Sequence, residues 1–143
     1  MTGTYDYDVF VSYSRREPDR GWVHDRLVPR LRADGVAVCL DDDCFRLGAP
    51  LILEIERAVA TSRYTLAVLT RAYVRSGYTE LENVMAEHLG LERAERRLLA
   101  VVREPTEPRL GIRMRLWLDM TDERRFEAAV RRLSVQLRQD PDK

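Results

Sequence analysis

Residues able to do chemistry gather in a few stretches of this chain. After Ser76 the acids Glu80, Glu82 and Glu87 follow Tyr78 in a stretch that reads as the start of a helix. On a helix, Tyr78 and Glu82 form an i, i+4 pair with ring and carboxylate on one face. Glu80 then points about 200° away from Glu82, and Glu87 lies more than a turn further on. Ser14 and Arg15 offer a hydroxyl and a guanidinium to an anion, as does the guanidinium of Arg46. The run Asp41-Asp42-Asp43 lacks further ligands at calcium-loop spacing, so no metal is expected there. Asp41 is instead expected to anchor its loop by accepting backbone N–H bonds. His24 and His88 fall on separate predicted helices without a Cys or His partner at ligand spacing. No Ser-His-Asp or Cys-His constellation stands out. Cys39 reads as a small core residue, and Cys44 as a free thiol in a loop.

The elements that must position these groups alternate along the chain. Tyr7 to Tyr13 is β-branched and aromatic, as a strand is. Asp19 is placed to cap a helix carrying Trp22, Val23, Leu27 and Leu31, which stops near Gly35. Val36 to Leu40 reads as a second strand, and Asp41 to Pro50 as a long loop. Pro50 suits the first turn of a helix whose Leu51, Ile55, Ala58 and Val59 share an inward face. Tyr64 to Thr70 is apolar almost throughout, as a central parallel strand should be. A short loop leads to a helix over Glu80 to Arg96. Leu98 to Val102 is the fourth strand, and Arg115 to Asp119 a short edge strand. The last helix runs from about Asp122 to Arg138, with Phe126, Ala129, Val130, Leu133 and Leu137 inward.

This alternation predicts an α/β, flavodoxin-like three-layer sandwich: a five-stranded parallel sheet in the order 2-1-3-4-5, with helices on both faces. Ligands in such folds bind beyond the carboxyl ends of the strands, at the switch between strands 1 and 3. The loop from Ser12 to Pro18, the loop from Asp41 to Pro50 and the stretch from Thr70 to Glu82 converge there.

The chain has 143 residues, enough for one domain with one core. Its 45% hydrophobic and 34% charged content is that of a globular protein. The 24 basic and 24 acidic residues balance, which argues against a nucleic-acid partner. No apolar run is long enough to cross a bilayer, and the N-terminus lacks a secretory pattern. A cytoplasmic location without membrane contact is expected. A receiver domain is excluded by Ser12-Tyr13-Ser14 at the end of strand 1, where an acidic pair is needed. The P-loop and GxGxxG glycine patterns are absent. An FMN-binding carrier is a minor alternative.

Tyr7-Asp8-Val9-Phe10-Val11-Ser12-Tyr13-Ser14 resembles the first sequence box of the Toll/interleukin-1 receptor (TIR) domains. Asp41-x-x-x-Phe45-x-Leu47-Gly48-Ala49-Pro50-Leu51 resembles the family's BB loop. The run from Ile52 to Arg63 and the strand from Tyr64 to Thr70 follow it as in the family. Ser76-x-Tyr78-x-x-x-Glu82 is similar to the family's S-x-W-x-x-x-E segment, with Tyr in place of Trp. The boxes stand in the right order from about Tyr5 to Arg138, so the whole chain is expected to be a single TIR domain.

The resemblance implies one of two functions. One is hydrolysis of NAD as substrate at the nicotinamide–ribose bond, without a further cofactor, in bacterial immune or conflict signalling. The other is a non-catalytic TIR–TIR scaffold. For the enzyme it implies Glu82 as the catalytic carboxylate that stabilises the transition state, Tyr78 and Phe45 as pocket walls, and Ser14 with Arg15 on phosphate or ribose. Arg46 would do similar work, although family enzymes more often carry a Lys where this chain has Cys44. Asp41, Leu47, Gly48 and Pro50 belong to the loop through which family members self-associate. A sensor protein or domain is a further implied partner.

Overall fold

The computed structural model describes residues 5–76, 97–105 and 117–141. Five strands form one parallel sheet in the order β2-β1-β3-β4-β5. They are β1 (Tyr7–Ser12), β2 (Val38–Cys39), β3 (Ser62–Leu69), β4 (Leu98–Val102) and β5 (Trp117–Asp119). The expected fold class and strand order are both present. β1 and β3 are neighbours, in register from Tyr7↔Ser62 to Ser12↔Ala67.

The pleat divides the core in two. Val9 and Val11 of β1, with Tyr64, Leu66 and Val68 of β3, pack in one cluster with Val23, Leu27, Leu31, Phe126, Val130, Leu133 and Leu137. Phe10, Ala67 and Leu69 point to the other side and pack with Cys39, Ala58, Val59, Tyr73, Leu98 and Ala100. The first face is covered by the helical run 19–33 (α1) and by α5 (Phe126–Leu137), the second mainly by α3 (Leu51–Thr61).

Helix α1 passes through a π-helical turn at Val23–Leu27, one turn before Pro29. There the Val28 N–H reaches the Val23 carbonyl five residues back. The helix ends in a Schellman motif: Gly35 takes φ +84°, its N–H bonds the Arg32 carbonyl, and the Val36 N–H bonds that of Leu31. That bond explains why β2 starts later than the apolar run Val36 to Leu40. At its other end the Leu40 carbonyl accepts the N–H groups of Asp43 and Cys44, opening the short helix α2 (Asp41–Cys44).

Several expectations are corrected. Asp19 does not cap α1. It lies inside the helix, buried, and its carboxylate accepts the Thr70 hydroxyl at 2.6 Å. Cys44 is not a free thiol, because the α2 turn brings it back to Cys39, Cα–Cα 5.7 Å, and the two form a disulfide. Pro50 precedes α3 as its cap rather than opening its first turn, and its carbonyl accepts the Leu53 and Glu54 N–H groups. Leu51 is exposed rather than inward, and Glu54 takes the buried place on that face. A short helix, α4 (Arg71–Ser76), follows β3 where a loop was expected, and the Thr70 hydroxyl accepts the Tyr73 N–H in its first turn. The helix predicted over Glu80 to Arg96 lies outside the described residues. Asp122 does begin the last helical segment, its carboxylate accepting the Arg124 N–H. Among the described residues no helix is long and apolar enough to cross a membrane.

Leu66 is fully buried in the central strand. Its truncation, Leu66→Ala, is expected to lower stability by about 2–5 kcal/mol, read from the midpoint of urea unfolding at constant slope.

Candidate functional site

The carboxyl ends of β1 and β3 lie side by side, and their following segments separate there. β1 runs into Tyr13 to Pro18, while β3 runs into Thr70 and α4. Between the two segments is an open hollow of about 170 Å³, lined by Ser14, Arg16, Ala72 and Arg75. Beside it, polar groups fasten the strand ends. The Ser12 and Tyr73 hydroxyls are 2.9 Å apart, and the buried Thr70–Asp19 bond ties the end of β3 to α1. Arg16 and Arg75 are exposed, and among the described residues neither guanidinium has an acidic partner. The Ser14 Oγ accepts the Arg16 backbone N–H at 3.3 Å, leaving its own proton to donate.

Arg15 turns to the BB loop. Its guanidinium lies 2.8 Å from the carboxylate of Asp41. The Tyr13 hydroxyl donates to the other oxygen of Asp41 at 2.8 Å and lies 2.7 Å from His24 Nε2. A phenol has one proton, so with that proton on Asp41 the His24 Nε2–H must donate to Tyr13. Asp41 therefore ties β1, α1 and the BB loop together through side chains, and not by the backbone bonds expected of it alone. Asp43 leaves in another direction, to Arg32 at 2.8 Å. Among the described residues no group of three His, Cys, Asp or Glu side chains could hold a metal ion.

The far end of the BB loop has its own anchor, which the sequence reading missed. Glu54 is almost wholly buried and accepts the Arg46 backbone N–H at 2.6 Å, the Arg46 guanidinium at 3.0 Å and the Arg57 guanidinium at 2.7 Å. The Arg57 bond, then the two from Arg46, hold its carboxyl down at about 2. The same Arg57 guanidinium reaches the Cys44 carbonyl. Arg46, expected on substrate phosphate, is thus engaged with Glu54. Phe45 packs on Phe10 with ring centroids 5.9 Å apart, plugging the loop onto the core. Leu47 is fully exposed at the tip, and Gly48 has φ +81°, where a side chain would be strained. Pro50 closes the loop.

Of the expected site residues, Ser14 lines the hollow, while Arg15, Asp41, Phe45 and Arg46 are engaged in anchoring the BB loop instead. Tyr78 and Glu82 lie outside the described residues. Arg16 and Arg75 were not singled out from sequence. The only signal was their place in segments that a 2-1-3-4-5 sheet brings to its switch point.

A family model described as TIR domain matches residues 9–134, and the chain belongs to that family. Toll-like receptor 13 of Mus musculus is 36% identical over 83 residues, which are 56% of this chain and 8% of the receptor. The NAD(+) hydrolase TcpA of Theionarchaea archaeon (strain DG-70-1) is 28% identical over 91 residues, 62% of this chain and 27% of that protein. The chain thus spans less than a third of the length of either curated relative. Among solved structures, the TIR domain of the Toll-related receptor TRR-2 from Hydra magnipapillata superposes with a TM-score of 0.74 at 20% identity, covering 93% of this chain and 99% of that one. At that identity the likeness speaks for the fold.

Glu54 makes the loop acid-sensitive. Its folded value of about 2 lies below the ordinary 4.5, so its stabilisation is full above about pH 4.5 and is lost as pH falls towards 2. Urea midpoints measured from pH 6 to pH 2 should fall across that window. In Glu54→Gln the midpoint at pH 6 should be lower and the fall shallower.

Proposed function

We propose that this TIR domain cleaves NAD at the nicotinamide–ribose bond, releasing nicotinamide and leaving ADP-ribose where water attacks, or a cyclised form where the adenine end of the same molecule does, in bacterial immune or conflict signalling. The observation that carries the reading is the hollow at the β1–β3 switch, with a hydroxyl and two guanidiniums on its wall. Tyr78 and Glu82 follow two and six residues after Ser76, where the α4 wall ends. The relative that bears the name NAD(+) hydrolase supports the same reading.

The chemistry asks little of the protein at the leaving group. Nicotinamide departs as a neutral molecule from a cationic bond, and water adds to the anomeric carbon with loss of a proton. The transition state is oxocarbenium-like, so a carboxylate beside the ribose lowers the barrier by charge and by hydrogen bonds to its hydroxyls. Glu82 supplies that carboxylate, Tyr78 and Phe45 wall the pocket, and Ser14 meets the ribose or phosphates, while Arg15 and Arg46 hold the BB loop through Asp41 and Glu54.

A second reading, a TIR–TIR scaffold, is favoured by the exposed apolar group on the BB loop and the start of α3: Leu47, Leu51, Ile52 and Leu53. Self-association belongs to both readings, because a neighbour's loop can complete a catalytic pocket.

Purified protein incubated with NAD, dilute and concentrated, should release nicotinamide by chromatography. Glu82→Ala should cut the rate on the order of 10²-fold or more with circular dichroism unchanged. Undiminished release from that variant removes Glu82 from the mechanism. No release from the unaltered protein at any concentration leaves the scaffold.

A further inference from the structure

The chain has two cysteines, and both lie in one bond at the head of the BB loop. Cys39 ends β2 and is buried in the second core with Phe10, Ala58 and Val59. Cys44 ends α2 and is only partly buried. The two are five residues apart in sequence. A ring this short removes less freedom from the unfolded chain than a long one, so its constraint falls mainly on the turn it encloses. That turn carries Asp41, the carboxylate that holds Arg15 and Tyr13. The carbonyl of Cys44 takes the Arg57 guanidinium, which also holds Glu54. The bond thus stands between the two acid anchors of the loop. Helix α2 has four residues and no side-chain cap, and a single turn does not repay its own nucleation. The bond to Cys39 adds the closure that so few backbone bonds lack.

We propose that the Cys39–Cys44 bond is a reversible exchange site for a dithiol reductant, entered at Cys44, and that its state sets how firmly the BB loop is held. A thiolate of the dithiol attacks Sγ of Cys44, because Cys39 is shielded by the core. The Sγ–Sγ bond breaks, and Cys39 leaves as a thiolate and takes a proton from water. The reductant's second sulfur, as thiolate, then attacks its first, and Cys44 leaves as a thiolate and is protonated in turn. Two electrons pass from the dithiol, which becomes a disulfide, to the two cysteines, which become thiols. Exchange with an oxidised dithiol runs the same steps backwards and restores the bond. With the bond open, α2 and Asp41 lose their closure, while Glu54 keeps Arg46 and Arg57. The half of the BB loop next to β2 therefore loosens. The site holds under either reading of function, and its test needs no NAD.

The test compares the purified chain equilibrated with oxidised glutathione and with dithiothreitol, native in both buffers. N-ethylmaleimide added on denaturation, read by mass spectrometry, should label neither cysteine in the first sample and both in the second. Reduced chain given oxidised glutathione and quenched early should carry the glutathione on Cys44. Amide hydrogen exchange reads the loop. The N–H groups of Asp43 and Cys44 bond the Leu40 carbonyl, and that of Phe45 bonds the Asp41 carbonyl. On reduction these amides should speed up on the order of tenfold or more beyond any change in the amides of β3. The Cys39→Ala/Cys44→Ser double variant should show the faster loop exchange in both buffers. Free thiols that persist in oxidised glutathione overturn the bond, and a bond that survives dithiothreitol in the native chain overturns its reversibility. Glutathione found first on Cys39 overturns the point of entry. Loop exchange that is unchanged, or raised no more than that of β3, overturns the hold on the loop. The unaltered chain in its two states decides each point by itself should the double variant fail to fold.

Discussion

The pairing of β1 with β3 governs the rest of the molecule. Ser12 sits opposite Ala67 at the end of a register that begins at Tyr7 and Ser62. Both strands are buried, and their apolar residues alternate between the two cores, so a slip of one residue would turn each set to the wrong face. With that register held, β1 ends opposite Ala67 and β3 runs two residues further, to Leu69, before its following segment leaves the sheet. Sheets of this order open a crevice where the chain order reverses. The hollow of Ser14, Arg16, Ala72 and Arg75 lies there.

The BB loop is held at both ends by a buried carboxylate. Asp41 takes Arg15 and Tyr13, and Glu54 takes Arg46 and Arg57. Between them, Phe45 rests on Phe10 and Cys44 is bonded to Cys39, while Leu47 projects into solvent. Both acids are shielded while their arginine partners are more open to water. Each carboxylate has exchanged hydration for several donors, so removing one of its arginine partners leaves a shielded charge without compensation. The same device accounts for the arginine content: many of these side chains tie helices and loops together inside the chain, so their number alone does not announce a polyanionic partner.

The α1 helix links the two regions. His24 donates to Tyr13, which donates to Asp41, and Asp19 accepts from Thr70. The loop after β1, the BB loop and the start of α4 are therefore fastened to one helix.

The alternation of apolar strands with helical repeats determined the fold class and the strand order, because a buried parallel sheet requires near-continuous apolar strands and crossover helices. The resemblance boxes located the loops of interest for the same reason: they are the segments such a sheet brings to its edge. Tertiary structure decided which charged residue answers which. Arg15 and Arg16 are indistinguishable as neighbours in a list, yet one meets Asp41 and the other lines the hollow. Asp19 looks like a cap but is taken by Thr70, 51 residues away. Cys44 looks like a lone loop thiol until α2 folds it back on Cys39. Partners in space depend on the crossing of elements, and local spacing carries no record of that. Hydrophobic periodicity is a property of one element, whereas an ion pair, a disulfide or a concave wall is a property of two.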